Sequence, residues 1–304
     1  MVLDTNPAPL VIAFFLYFVG VIAVGAARWR LLLESQGVRV PFRFLLNSYM
    51  VATFFNNVLP TNIGGDVFRI ADAARYTESK TLSSAIVFVD RLIGFAGLFA
   101  LAFGAVAFGG EVVRSLPGME WLWIGLAAVT VVVMVVLVVP EVVEWSLKPL
   151  HLMKSEWVTK RVGVVTSALF RFRRRIPALI KALLVSILIQ GSIVIFYFLV
   201  AHAMDIALPL DYCFLIIPII LVVQLFPSIN GFGVRESAFV FFFTAIGLSA
   251  EQGVSLSFVS TGVIIALSLF GGVIYATRSR KERAEGFQPE VPSADARVDI
   301  NVQY

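Results

Sequence analysis

The sequence predicts an all-α fold, a polytopic bundle of transmembrane helices, from its composition, its charge-free runs and the clustering of its basic residues. Hydrophobic residues make up 59% of the 304 and charged residues 14%, against roughly 45–50% and about 25% in soluble domains. Charge-free stretches run over 5–27, 92–110, 121–140, 182–204, 212–234 and 252–277, and a helix needs only ~20 apolar residues to cross the hydrocarbon core. Of the 24 Lys and Arg residues, 22 fall in four blocks: Arg28 to Arg43, Arg69 to Arg91, Lys148 to Lys181, and the tail from Arg278. Placing all four blocks on the cytoplasmic side satisfies the positive-inside rule. The net charge of +4 is then explained by topology and contacts to anionic lipid, and no nucleic-acid partner is expected.

Those blocks thread the chain. Residues 8–27 run inward from an outside N-terminus, and Asp4 ahead of them is the wrong charge for a cleaved signal peptide. Residues 84–107 return outward, 118–140 come back in, 180–203 go out and 254–277 come in, which leaves the C-terminus cytoplasmic. Two segments remain, 41–59 and 212–249, each starting and ending on one side. The second has apolar arms at 213–226 and 234–248, about 14 residues or ~21 Å of helix each. Such arms do not cross a ~30 Å core singly, so a re-entrant hairpin entering from outside is predicted. A matching hairpin, 41–59 with 63–78, would enter from inside; an ordinary pair of spans is its competitor, because 41–59 is nearly long enough to cross. Two pseudo-repeats of opposite orientation result, about 8–140 and 178–277, in the inverted-repeat plan of many secondary transporters. A basic cytoplasmic segment, 141–177, joins them into one domain over 1–277. A polar tail with Pro289 and Pro292, 278–304, is expected to be disordered.

Both hairpin tips carry related strings. LPTNIGGDVFR at 59–69 and FPSINGFGVRE at 226–236 each place a hydroxyl residue after a proline, a glycine four positions after it, and an arginine eight or nine after it. Breaks of this kind persist in a bilayer only where they are buried in protein or line a polar cavity. Paired breaks in corresponding positions of two halves point to a transporter's binding site. The substrate-binding candidates are therefore Asn56, Asn57, Asn62, Gly64, Gly65, Asp66 and Arg69 in the first half, with Ser228, Asn230, Gly231, Gly233, Arg235 and Glu236 in the second. Asp90 and Arg91 join them as ionisable residues within a span. Being adjacent on a helix, these two point about 100° apart and need separate partners. A helix restarting after Gly64-Gly65 or Gly233 would offer N–H groups and a positive dipole end to a phosphate. Asp66 is available as a cap in the first case, and Arg69 and Arg235 lie in the first turns. The competing reading is that the glycines only allow tight turns and the arginines only pair with Asp66 and Glu236.

Catalytic signatures are missing: the chain has no Walker loop, HExxH, GxSxG or DxD pair. One cysteine, Cys213, and two histidines, His151 and His202, give little from which to build a disulfide, a metal site or a base. Neither metal nor cofactor is expected, and an enzyme is the less favoured class.

The string RWRLLL at 28–33, NNVLPTNIGGDVFR at 56–69, VDRL at 89–92 with Gly94, and FPSINGFGVRE at 226–236 together resemble the lysylphosphatidylglycerol synthase transmembrane-region family, also described as the flippase-like domain. The resemblance runs from about 10 to 277. Asn230 stands where a glycine is expected, and Ser237 where one is common. The resemblance implies a multi-pass protein of the inner, or plasma, membrane. Fused family members resemble a flippase joined to a soluble aminoacyltransferase; ending at Tyr304, this chain has no room for one, which implies a stand-alone member. The expected function is transport of a phospholipid or lipid-linked headgroup across the membrane, with an anionic lipid as partner. The alternative is a non-catalytic membrane subunit that binds lipid for a separate cytoplasmic glycosyl- or aminoacyltransferase.

Overall fold

A computed structural model describes residues 7–59, 64–108, 119–138, 170–173, 175–224 and 233–278. The described residues are helical, with no strand among them. Helix α1 spans Pro7–Ser35 and includes a π-helical stretch, Tyr17–Ala23. It is followed by α2 (Phe42–Val58), α3 (Gly64–Thr77), α4 (Lys80–Phe108) and α5 (Met119–Val138). The second half comprises α6 (Ile176–Ala203), α7 (Leu210–Val223), α8 (Val234–Ala245) and α9 (Ala250–Thr277). Among the described residues four helices are long and apolar enough to cross a membrane: Pro7–Ser35, Lys80–Gly104, Ile176–Ala203 and Ala250–Thr277. These are the runs expected at 8–27, 84–107, 180–203 and 254–277, and α5 covers the run expected at 118–140. The tips at 60–63 and 225–232, most of the basic connection (139–169 and 174) and the tail from 279 lie outside the described residues.

Helix α1 continues eight residues beyond the expected end of its span, past Arg28 and Arg30. Neither charge stops it, because each finds a carboxylate: Arg30 pairs with Glu34 one turn on, at 2.7 Å, and Arg28 turns into the bundle. Residues Trp29, Leu32 and Leu33 on this extension are fully buried, packed with Leu45, Ile86 and Ile93 of α2 and α4. A second core lies between α6, α7, α8 and α9, built on Phe196, Tyr197, Ile216, Phe239 and Leu256.

Contacts between the halves are reciprocal. Helix α2 packs along α9 of the second half, and α7 packs along α4 of the first. Helices α1 and α6 also pack together. The α2–α9 contact is close enough that a Cβ on Gly271 would collide with the Met50 carbonyl oxygen, so only glycine fits. Small residues at such crossings are how membrane helices gain packing energy without a hydrophobic driving force between them.

Candidate functional site

Asp90 is the centre of a buried charge cluster. It lies on α4 with 1% of its surface exposed, and an isolated carboxylate there would be very unfavourable without partners. Two arginines supply them. Arg28 of α1 donates from Nε to Asp90 Oδ1 at 2.8 Å and from Nη1 to Ser186 Oγ of α6 at 3.0 Å. Arg69 of α3 donates from Nη2 to the other oxygen, Oδ2, at 2.7 Å. The Arg69 guanidinium lies 4.5 Å from the Trp29 ring centre and 4.9 Å from that of Tyr49, so aromatic faces replace part of its lost hydration. Arg91, pointing elsewhere from the same helix, donates from Nε to Asp66 Oδ2. Asp66 also reaches Arg69, at 3.5 Å. The separate partners expected for Asp90 and Arg91 are therefore found on two other helices, α1 and α3.

The start of α3 is capped across the hairpin. Asn56 Oδ1, near the end of α2, accepts the Gly65 N–H at 2.8 Å. Asp66, expected as the cap, is instead engaged by arginines. A Cβ on Gly65 would strike the Ala52 carbonyl oxygen, so this glycine serves the close packing of α3 against α2. Asn57 donates from Nδ2 to Thr53 O at 3.1 Å.

These groups line a cavity of about 390 Å³. Asn56, Asn57, Asp66, Arg69, Asp90 and Arg91, all sequence candidates, are part of its wall, while Gly64, Gly65, Gly233, Arg235 and Glu236 are not. Sequence reasoning did not select Arg28, Tyr49, Thr53 or Gln190, which also line it. The sequence signal for Arg28 was its place in the RWRLLL string that carries the family resemblance. The wall is graded along three of its helices, from Arg28 to Val21 and Tyr17 on α1, from Asp90 and Arg91 to Phe95 and Leu98 on α4, and from Gln190 to Ile193 on α6. Three arginines, Arg28, Arg69 and Arg91, face two aspartates among the described lining residues. Two polar atoms of the lining residues, the donor Arg69 Nε and the acceptor Gln190 Oε1, are buried with no hydrogen-bond partner among the described residues. Such orphans are uncommon in native proteins and call for a physical reason.

The second motif is built differently. Gly233 has φ +83°, a left-handed conformation that favours glycine, and its N–H donates to Glu236 Oε2 at 2.6 Å. Arg235 donates from Nη2 to Glu236 Oε1 at 2.8 Å and from Nε to Ser257 Oγ of α9 at 2.7 Å. Asn62, Ser228, Asn230 and Gly231 lie outside the described residues.

Comparison with known proteins agrees with the motifs. No solved structure matches the chain. A UPF0104 membrane protein of Methanocaldococcus jannaschii is 28% identical over 138 residues, which is 44% of this chain and 40% of that protein. The match thus spans well under half the length of that relative. Residues 2–272 match the family model described as the lysylphosphatidylglycerol synthase TM region. With nearly its whole length matched, this chain belongs to that family of membrane proteins.

Proposed function

We propose that the protein moves an anionic phospholipid or lipid-linked headgroup across the plasma membrane, by alternating access at the Arg28–Arg69–Asp90 cavity. The observation that carries this reading is the graded wall. A lipid has a charged end and an apolar end, and the cavity offers three guanidinium groups against two carboxylates among its described lining residues at one end and Tyr17, Phe95, Leu98 and Ile193 at the other. In this reading the phosphate takes up the excess positive charge, accepting from Arg69 Nε, while Asn56, Asn57 and Gln190 meet polar headgroup atoms. Without such a route the headgroup would meet the full desolvation penalty of the hydrocarbon.

The reading includes two re-entrant hairpins, α2–α3 and α7–α8, in an inverted repeat, with the N-terminus outside and the C-terminus cytoplasmic. Support comes from lengths: α7 and α8 have 14 and 12 residues, or ~21 and ~18 Å, short of a ~30 Å core. The exchanged packing of α2 on α9 and α7 on α4 is what two repeats of opposite orientation would make. Rocking of one half against the other would open the cavity alternately.

The test is reconstitution into liposomes containing headgroup-labelled lipid. The wild type is expected to accelerate exchange between leaflets, and Arg69→Ala to abolish most of it. Lipid movement no faster than in empty vesicles, with lipid still bound in the cavity, would overturn transport in favour of a lipid-binding subunit for a separate transferase.

A further inference from the structure

We propose a second anion site, formed by Arg171, Arg173 and Arg175 where the chain enters α6, that holds the phosphate of an anionic phospholipid headgroup at the rim of the bundle. The three arginines share a cavity of about 980 Å³ with Phe170 and with Ser35, Gln36 and Gly37, which close α1. No acidic residue is among its described lining residues. Among the described residues Arg28, Arg30, Arg69, Arg91, Arg235 and Arg278 each contact a carboxylate. Arg171 and Arg175 make no such contact among the described residues. Like charges gathered in one wall repel, and an anion between them relieves the repulsion.

This is a built wall, held in place by its own core residue. Phe172, between Arg171 and Arg173, is 1% exposed and packs into the core with Trp29, Leu32 and Leu33. Its anchoring fixes the backbone that carries the arginines, so less chain entropy is lost when a ligand binds. Opposite, Ser35 Oγ donates to Leu32 O at 2.7 Å and Gln36 Nε2 donates to Ser35 Oγ at 3.4 Å. Gly37 has φ +82° and open space where a side chain would be, which leaves room for a headgroup. The flanking Phe170 and Ile176 are exposed apolar side chains. A soluble phosphate compound has no use for them, whereas acyl chains do, and this decides for a lipid.

Native mass spectrometry of the delipidated full chain in detergent tests this, with dioleoyl phosphatidic acid and dioleoyl phosphatidylcholine as probes. The variant carrying Arg171→Gln, Arg173→Gln and Arg175→Gln is expected to hold one fewer phosphatidic acid than wild type. Each basic residue near a lipid surface contributes about fivefold in affinity, so the lost site should weaken roughly a hundredfold. Arg69→Ala should leave this lipid in place, which separates the rim site from the central cavity. Replacing all three by Lys keeps the charge that orients the chain but removes the bidentate fork; it should unfold at the wild-type temperature yet release the lipid sooner. Equal retention by wild type and the Gln variant, equal retention of phosphatidylcholine, or displacement of the lipid by millimolar pyrophosphate would each overturn the proposal.

Discussion

Two strings alike in sequence, around Arg69 and around Arg235, end in different electrostatic states. Arg69 shares its partners: Asp90 serves both it and Arg28, and Asp66 serves both it and Arg91. Among the described lining residues three arginines face two aspartates, and Arg69 Nε has no hydrogen-bond partner there. Arg235 has Glu236 beside it, and that carboxylate also accepts from Ser257 and from the Gly233 N–H. Its pair is neutral and closed. The same motif thus makes a site with an open electrostatic valence in one half and a self-satisfied joint in the other. What decides is whether an acid follows the arginine directly.

The sharpest way to break the contrast is to remove its centre. Asp90→Ala leaves Arg28 and Arg69 buried without their shared carboxylate, and stranding a buried charge costs about 3–5 kcal/mol. The expected outcome is a large fall in detergent-solubilised unfolding temperature, read by intrinsic fluorescence, and loss of lipid binding. Next comes Arg69→Ala. Asp90 keeps Arg28, so folding survives, but the charge-assisted bond to a phosphate is lost. Such bonds contribute about 1.5–3 kcal/mol, which corresponds to roughly a ten- to hundredfold weaker affinity for anionic lipid by titration in nanodiscs. Wild-type affinity in this variant would place the headgroup elsewhere.

Third in size is Arg235→Ala, where stability and binding should separate. Removing the guanidinium deprives Glu236 and Ser257 of their charged partner, for about 1.5–3 kcal/mol of stability. Anionic-lipid affinity should stay at the wild-type value, because Arg235 does not line the cavity. A fall matching that of Arg69→Ala would show that both arginines meet the ligand and that the contrast is false.

Much of this architecture was legible in the sequence. Helices lie at Phe42–Val58 and Gly64–Thr77, where the sequence predicts segments at 41–59 and 63–78, and at Leu210–Val223 and Val234–Ala245, where it predicts them at 213–226 and 234–248. Proline, glycine and apolar run length act locally, so a string of letters contains them. Charge partners do not act locally. Arg28 reads as one more topology signal after a span, and its role depends on Asp90, 62 positions away. The cap of α3 comes from Asn56 across the tip and not from Asp66 within the helix, because two helices had to pack first. Of the six candidates found in the cavity wall, all belong to the first motif or to α4. The resemblance between the motifs led toward a single shared site, and only the neighbouring Glu236 hinted otherwise.

The smallest effect comes from a pair of caps that should cost the same and do different things. Asn56 caps α3, and Ser249 caps α9 by accepting the Gln252 N–H at 3.1 Å. Replacing either with alanine should lower stability by about 1 kcal/mol, a shift measurable in parallel melts. Only Asn56 also lines the cavity. Asn56→Ala should therefore weaken lipid retention several-fold, roughly one neutral hydrogen bond, while Ser249→Ala leaves it unchanged. With stability matched between the two, any difference in binding reports on the wall itself and not on a loosened fold. If both variants retain lipid as the wild type does, Asn56 is a helix cap alone, and the recognition of the headgroup rests on the arginines.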